Sequence, residues 1–276
     1  MILSASRRTD IPCYYTDWFM NRIRAGYAMT RNPMNYNQIR RVDLSPDNID
    51  CIVFWTKDPQ NLLPHLSALD KIGYKYYFQF TLTPYGDDIE TNLRDKREIE
   101  DTFIRLSDTI GKNKIIWRYD PIVINDKLTV DYHKREFERM YAKLSPYTDK
   151  IFISYVDMYT KIKSDLIKPI RRDDIAELNE FIKSAANGEV RSCCCTDGFP
   201  SAACIDKALI ESIINKPLPD LKRDKNQRTG CGCCESVDIG VYNTCPNGCV
   251  YCYANYSAKS VNTNFARHNP DAEFMI

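Results

Sequence analysis

The sequence predicts an α/β fold on a parallel sheet, with a full or partial TIM-like (β/α) barrel as the expected architecture. Three observations carry this expectation. Short apolar, β-rich runs alternate with longer helical segments along the chain. The runs are apolar at successive positions, as in strands covered on both faces. And 276 residues fall within the size of one such barrel. An open doubly wound sheet is the alternative, but no Gly-x-Gly-x-x-Gly follows the first strand. Residues 1–276 are expected to form one domain with a cysteine-rich C-terminal part, about 193–256.

In chain order, Met1–Ser6 reads as the first strand and gives way to Arg7-Arg8-Thr9-Asp10. A helix is expected near Thr16–Ala25. The second strand, Asp50–Thr56, holds Cys51-Ile52-Val53-Phe54-Trp55 and hands over to Lys57. After a helix near Asn61–Ile72, the strand Tyr76–Thr83 contains Gln79 and Thr81. The helix near Lys96–Ile110 leads to the strand Lys114–Tyr119, which ends in Trp117-Arg118-Tyr119-Asp120-Pro121. The helix near Tyr132–Leu144 precedes the strand Lys150–Asp157, which carries Ser154, Tyr155 and Asp157. A helix near Arg172–Ala186, a strand Glu189–Cys194, a helix near Ile205–Ile214 and a short strand Asp238–Tyr242 complete the pattern. In a parallel barrel the carboxyl ends of the strands share one rim, where active sites lie. Asp10, Asp58 and Asp120 equally suit helix N-caps or surface ion pairs. His65 and His133 sit on expected helices and read as surface or capping residues; His268 is isolated.

Lys+Arg (38) nearly balance Asp+Glu (37), so no basic field points to nucleic acid. The mixed segment 222–228 reads as a solvated loop. The first residues lack the apolar core of a signal peptide, and no apolar run is long enough to span a bilayer. A cytoplasmic protein without membrane contact is expected. Of its twelve cysteines only Cys13 and Cys51 precede residue 190; the other ten lie between Cys193 and Cys252. In a reducing compartment such clustering favours metal binding or catalysis over disulfides.

The strongest local signal is Cys245-Pro246-Asn247-Gly248-Cys249-Val250-Tyr251-Cys252, spaced Cys-x3-Cys-x2-Cys. Three thiolates on one loop suit three irons of a cubane cluster and leave the fourth open to a small molecule, whereas an electron-transfer ferredoxin supplies a fourth Cys. Pro246 and Gly248 suit the tight turn this requires.

The segment resembles the signature of the radical S-adenosylmethionine (SAM) superfamily, including the aromatic Tyr251 before the last Cys. That resemblance implies a [4Fe–4S] cluster on Cys245, Cys249 and Cys252, SAM on its open iron with Tyr251 near the adenine, and cleavage to a 5′-deoxyadenosyl radical that abstracts hydrogen from a substrate the sequence does not name. It also implies an electron donor such as a flavodoxin or ferredoxin. The superfamily usually places this loop after the first strand. Here it lies near the C-terminus, which implies a circularly permuted barrel with Asp238–Tyr242 as first strand and Met1–Ser6 as second. No Gly-Gly-Glu-type segment is evident. More widely, Ser4-Ala5-Ser6-Arg7-Arg8-Thr9-Asp10-Ile11-Pro12, Phe54-Trp55-Thr56-Lys57, Phe78-Gln79-Phe80-Thr81-Leu82-Thr83, Trp117-Arg118-Tyr119-Asp120-Pro121 and Cys204-Ile205-Asp206 are similar to an uncharacterised bacterial domain-of-unknown-function family.

Within that reading Arg7 and Arg118 are candidates to pair with a carboxylate or phosphate. Lys57 and Asp120 would orient substrate or the SAM ribose, Gln79 and Ser154 would bind cofactor at the rim, and Tyr155 or Asp157 would donate a proton or hydrogen atom. Cys204, Cys231, Cys233 and one of Cys193–Cys195, with Cys194 representing that run, suit a second [4Fe–4S] cluster or a zinc ion. Two other classes stay open: an iron–sulfur electron carrier, with a fully ligated cluster, and a zinc-stabilised binding protein, which would be colourless.

Overall fold

The structure is a computed structural model that describes all residues except 161, 163, 188, 194–197 and 229. The chain begins with β1 (Ile2–Ala5), α1 (Ile11–Tyr14), α2 (Thr16–Ala25) and an antiparallel ribbon of β2 (Tyr27–Asn32) and β3 (Asn35–Asp43). It continues through β4 (Cys51–Thr56), α3 (Leu66–Ile72), β5 (Tyr76–Thr81), α4 (Lys96–Ile110), β6 (Ile115–Ile122), α5 (Val130–Leu144) and β7 (Lys150–Tyr155). The remainder is α6 (Arg172–Ala185), β8 (Glu189–Ser192), α7 (Lys207–Ile214), β9 (Val237–Asp238) and α8 (Ala258–Arg267). Seven strands form one sheet in the order β8-β7-β6-β5-β4-β1-β9, and every pairing is parallel. The sheet is open: its order is linear, so the closed form of the expected barrel is not formed. From β1 to β8 the order follows the chain across the sheet, and the chain then returns to the opposite edge for β9. β9 pairs with β1, Leu3 opposite Val237 and Ser4 opposite Asp238. The last strand in the chain thus stands beside the first.

The period-2 geometry of strands divides the sheet residues between two cores. Leu3, Phe54, Phe78, Phe80, Trp117 and Ile153 face the helices, packing with Phe19 of α2, Leu69 of α3, Phe103 of α4, Phe137 of α5 and Ile182 of α6. The alternate residues Ile2, Val53, Tyr77, Ile116 and Phe152 pack instead with Ile205, Leu209 and Ile210 and with Cys231, Cys233 and Cys234. The cysteine-rich segment therefore covers the second face. Both faces being buried explains why the strands read as unbroken apolar runs. Helix ends follow local chemistry. Asp95, Thr129 and Asp206 cap α4, α5 and α7 with side-chain acceptors, and α2 ends at Gly26 in the left-handed region. No helix among the described residues is long and apolar enough to cross a membrane.

His133 corrects an expectation. It is not a surface or capping residue but fully buried on α5, with Nδ1 2.8 Å from Tyr119 Oη and Nε2 2.8 Å from the Val123 carbonyl. Its helix turns this position inward beside Phe137, where periodicity would have placed it. Burial pushes its pKa from 6.5 down to about 4. The unfolded chain then takes the proton first as pH falls. The contribution to stability is complete above pH 6.5 and is lost as pH falls through 4. It amounts to about 3 kcal/mol at most. Urea midpoints of the wild type and a His133→Gln variant, compared at pH 7 and pH 4, should differ most at pH 7. Equal differences at both pH values would remove His133 as the source.

Candidate functional site

Toward the carboxyl ends of the strands the cysteine-covered face turns polar. Ser4, Trp55, Gln79, Arg118, Asp120 and Ser154 continue the alternation begun by Ile2, Val53, Tyr77, Ile116 and Phe152. Arg118 is the hub. Its Nη1 donates to Gln79 Oε1 (3.1 Å) and lies 2.9 Å from Cys204 Sγ, and its Nη2 bonds Asp120. Ser154 Oγ donates to the other Asp120 oxygen. The guanidinium also lies over the Trp55 ring, 5.3 Å from its centre, with Arg7 5.0 Å from the same ring. Arg7, Gln79, Arg118, Asp120 and Ser154, singled out from sequence, are thus brought together. Tyr155 is not. It belongs to the helix-facing set and donates to Asn179 Oδ1 (2.9 Å) and the Ile175 carbonyl on α6. Asp157 is half exposed and pairs with Arg228.

Asp238 on β9 ties the two ends of the chain. One oxygen accepts from Ser4 Oγ (2.8 Å) and the Arg7 amide (2.9 Å), the other from Ser6 Oγ (2.6 Å) and the Gly240 amide (2.9 Å). Gly240 approaches so closely that a Cβ there would meet Ser6 Oγ at 2.0 Å.

The loop of Cys245, Cys249 and Cys252 lies at the same end. It is held by groups other than its thiols. Asn92 donates from Nδ2 to the Pro246 carbonyl (2.7 Å) and from its amide to Asn247 (3.1 Å). Asn255 Nδ2 donates to the Cys245 carbonyl (2.7 Å), and Tyr14 Oη to Asn247 Oδ1 (2.9 Å). Gly248 makes the turn at φ 70°. The Asn247 amide faces the Cys245 sulfur, and those of Ala254 (3.4 Å) and Asn255 face the Cys252 sulfur. Such donors favour a thiolate. Burial acts the other way, raising Cys245 and Cys252 and pushing Cys249 up to about 12.

Beside this loop stands a residue that sequence reading missed. Glu90 is 1% exposed and follows β5 in a stretch, Gly86-Asp87-Asp88-Ile89, that reads as an ordinary polar turn. It accepts from Lys57 Nζ (2.6 Å), Thr83 Oγ1 (2.9 Å), Lys96 Nζ and Tyr251 Oη. Burial pushes its carboxyl up, but the two ammonium groups outweigh that and hold it at about 2. One carboxylate does not fully offset two buried cations: Lys57 ends above its ordinary value, while burial leaves Lys96 below. Lys57 Nζ also lies 5.4 Å from the centre of the Tyr251 ring. Asp10, the N-cap of α1, accepts from the Lys57 amide (2.7 Å) and from Asn247 Nδ2 (3.3 Å), and burial raises it to about 6. Asp58 is an ion-pair partner, of Arg94 (2.6 Å).

The second cysteine set converges on Cys204, whose carbonyl accepts from Tyr77 Oη (2.7 Å) and Gln79 Nε2 (2.8 Å). Cys193 Sγ lies 3.3 Å from Cys204 Sγ, and Cys233 also hydrogen-bonds Cys204. Hydrogen bonds from Cys193 and Cys233, with Arg118 alongside, hold the Cys204 thiol well below the usual range and raise its two donors. Cys194, the expected fourth member, lies outside the described residues, as does Cys195; Cys193 is the member of that run seen against Cys204. Cys231 is buried in the same core. Among the described residues no three His, Cys, Asp or Glu side chains form a group that could hold a metal ion.

A family model described as a domain of unknown function (DUF1848) matches residues 2–254, a span that includes all seven strands of the sheet and the three-cysteine loop. Over 115 residues the chain is 31% identical to a phosphopantetheine adenylyltransferase of Borrelia hermsii (strain HS1 / DAH), an alignment covering 36% of this chain and 69% of that protein.

Proposed function

The chain belongs to the DUF1848 family, whose description carries no reaction, and from that premise we propose that it is a radical SAM enzyme acting on a substrate still to be identified. The observation that carries this reading is the three-cysteine loop: half-buried, held in shape chiefly by hydrogen bonds to its carbonyls and amide side chains, with amide donors on two of the three sulfurs. Cys245, Cys249 and Cys252 would hold a [4Fe–4S] cluster. Three cysteines on one short loop suit a cluster with one iron left open to a small molecule. When bound, the cluster supplies the electron that cleaves SAM to methionine and a 5′-deoxyadenosyl radical, which removes hydrogen from the substrate. An external donor such as a ferredoxin or flavodoxin would renew that electron.

The chain's own residues position and shield. Glu90 holds Tyr251 and Lys57 beside the loop. Arg118, Asp120, Ser154 and Gln79 form a hydrogen-bonded wall toward the substrate. The strand order, with β9 ahead of β1, supports a partial barrel in which the cofactor strand comes last in the chain, the permuted arrangement the sequence suggests. Cys193, Cys204, Cys231 and Cys233 would carry a second cluster or zinc. The adenylyltransferase likeness spans about a third of the chain and is not carried over.

A second reading, an iron–sulfur electron carrier, draws on one observation: Cys13 lies close enough to Cys245 for their charges to interact, so a fourth ligand is at hand. Anaerobic reconstitution with iron and sulfide, dithionite reduction and an assay of SAM for 5′-deoxyadenosine separate the two. Formation of 5′-deoxyadenosine, retained in a Cys13→Ser variant, is expected. A reducible cluster that cleaves no SAM and is lost with Cys13 would install the electron carrier instead. A colourless zinc protein would end both readings.

A further inference from the structure

The acceptors on the polar face are almost fully committed. Asp238 receives two hydroxyls and two amides, Asp120 receives Arg118 and Ser154, and Glu90 receives two lysines, a threonine and a tyrosine. Among the donors left over, two belong to side chains in contact. Arg7 Nη2 and Trp55 Nε1 are shut from solvent, and neither has an acceptor among the described residues. They belong to stacked groups, the guanidinium lying 5.0 Å from the centre of the indole ring. A buried donor without a partner costs stability and calls for an acceptor, and a charged donor calls for an anion. Nearby thiols do not serve: Cys204 already receives Arg118, Cys193 and Cys233, and Cys233 gives its proton to Cys204 and accepts from the Ile205 amide. Arg7, though not Trp55, also lines a cavity of about 730 Å³ with Arg8, Asp238, Gln227 and Glu235, which gives a ligand a way to the guanidinium.

We propose that Arg7 and Trp55 bind an anionic group, carboxylate or phosphate, of the substrate. That the bearer is the substrate rests on the radical SAM reading; that the site takes an anion does not.

Trp55 reports on its own occupancy. Of three tryptophans, Trp18 and Trp117 donate their indole N–H to the carbonyls of Ala272 (3.0 Å) and Leu82 (2.9 Å); Trp55 does not donate. The anaerobically purified full chain, titrated with inorganic phosphate and, separately, with acetate, should show a saturable fluorescence change with at least one anion. The stronger responder gives the kind of anion. Arg7→Gln should weaken that binding about tenfold or more. Arg24→Gln removes the same charge at an exposed position outside this cavity and should leave it unchanged. Trp55→Phe should abolish the signal and weaken binding measured by calorimetry. Absence of saturable binding by either anion overturns the proposal, as does an Arg7→Gln variant that binds like the wild type. SAM cleavage measured on the same samples keeps the two ideas apart. Anion binding without cleavage ends the radical reading and leaves the anion site standing; cleavage without anion binding does the reverse.

Discussion

Replacing Cys245, Cys249 and Cys252 together with alanine is expected to remove about four irons per chain from the reconstituted protein and to reduce 5′-deoxyadenosine formation to background. The effect should be complete because the three thiols are the whole protein ligand set on this reading; none of the loop's carbonyls or amide side chains replaces a thiolate on iron. The variant should nonetheless fold. The loop is tied to the segment after β5 by Asn92, to α1 by Tyr14 and to itself by Asn255, through carbonyl and amide groups the substitutions leave in place. Unchanged far-ultraviolet circular dichroism with lost iron is therefore the expected pair of results. Iron retained at the wild-type level would move the cluster elsewhere, and the nearest alternative is the set around Cys204. Since those thiols are separate in sequence and core, a Cys193→Ser/Cys204→Ser/Cys233→Ser variant should keep SAM cleavage-competent iron at the loop.

The second large effect concerns Glu90. Glu90→Ala would leave Lys57 and Lys96 buried without their common counter-ion, and uncompensated buried charges of this kind cost about 3–5 kcal/mol. Thr83 and Tyr251 would lose an acceptor as well. Glu90→Gln keeps an acceptor for those hydroxyls but not the charge, and should recover a minor part of the loss. The pH dependence has a definite sign. The folded carboxyl titrates at about 2 against 4.5 ordinarily, so its contribution is present above 4.5 and is lost as pH falls through 2. Urea unfolding at pH 7 measures the effect. A loss under about 1 kcal/mol in Glu90→Ala would mean that the lysines reach water once released.

The sheet was legible because its strands are buried on both faces, which leaves the mark of unbroken apolar runs such as Cys51-Ile52-Val53-Phe54 and Tyr76-Tyr77-Phe78. Six of the seven expected strands are present; the seventh, expected at Asp238–Tyr242, is a two-residue strand, Val237–Asp238, that overlaps it only at Asp238. The β2–β3 ribbon was not legible: it is mostly exposed, and Asn35, Asn37, Gln38, Arg40 and Arg41 give it neither alternation nor β-propensity. The cysteine loop announced itself through spacing, which three ligands on one short turn must respect. Glu90 had no such signal, because its importance comes from Lys57, Lys96 and Tyr251, which arrive from three separate segments. Tyr155 shows where a usable signal was overlooked. Position 155 shares the parity of Ile151 and Ile153, which face the helices, while Ser154 shares that of Phe152. Strand alternation alone assigns Tyr155 to the far side of the sheet.

The pairing of β9 with β1 also sets a timetable for biosynthesis. During translation β1 leaves the ribosome ahead of β4 and can pair with it soon after, but its other edge waits until Asp238 has been made. Between β4 and Asp238 the nascent chain carries an open strand edge, with Ser4 and Ser6 lacking the carboxylate that later receives them. The three-cysteine loop emerges only afterwards. Any assembly factor that delivers a metal group to it would meet a chain whose seven sheet strands have already been made, so loading before the sheet exists is prevented by the order of the residues themselves.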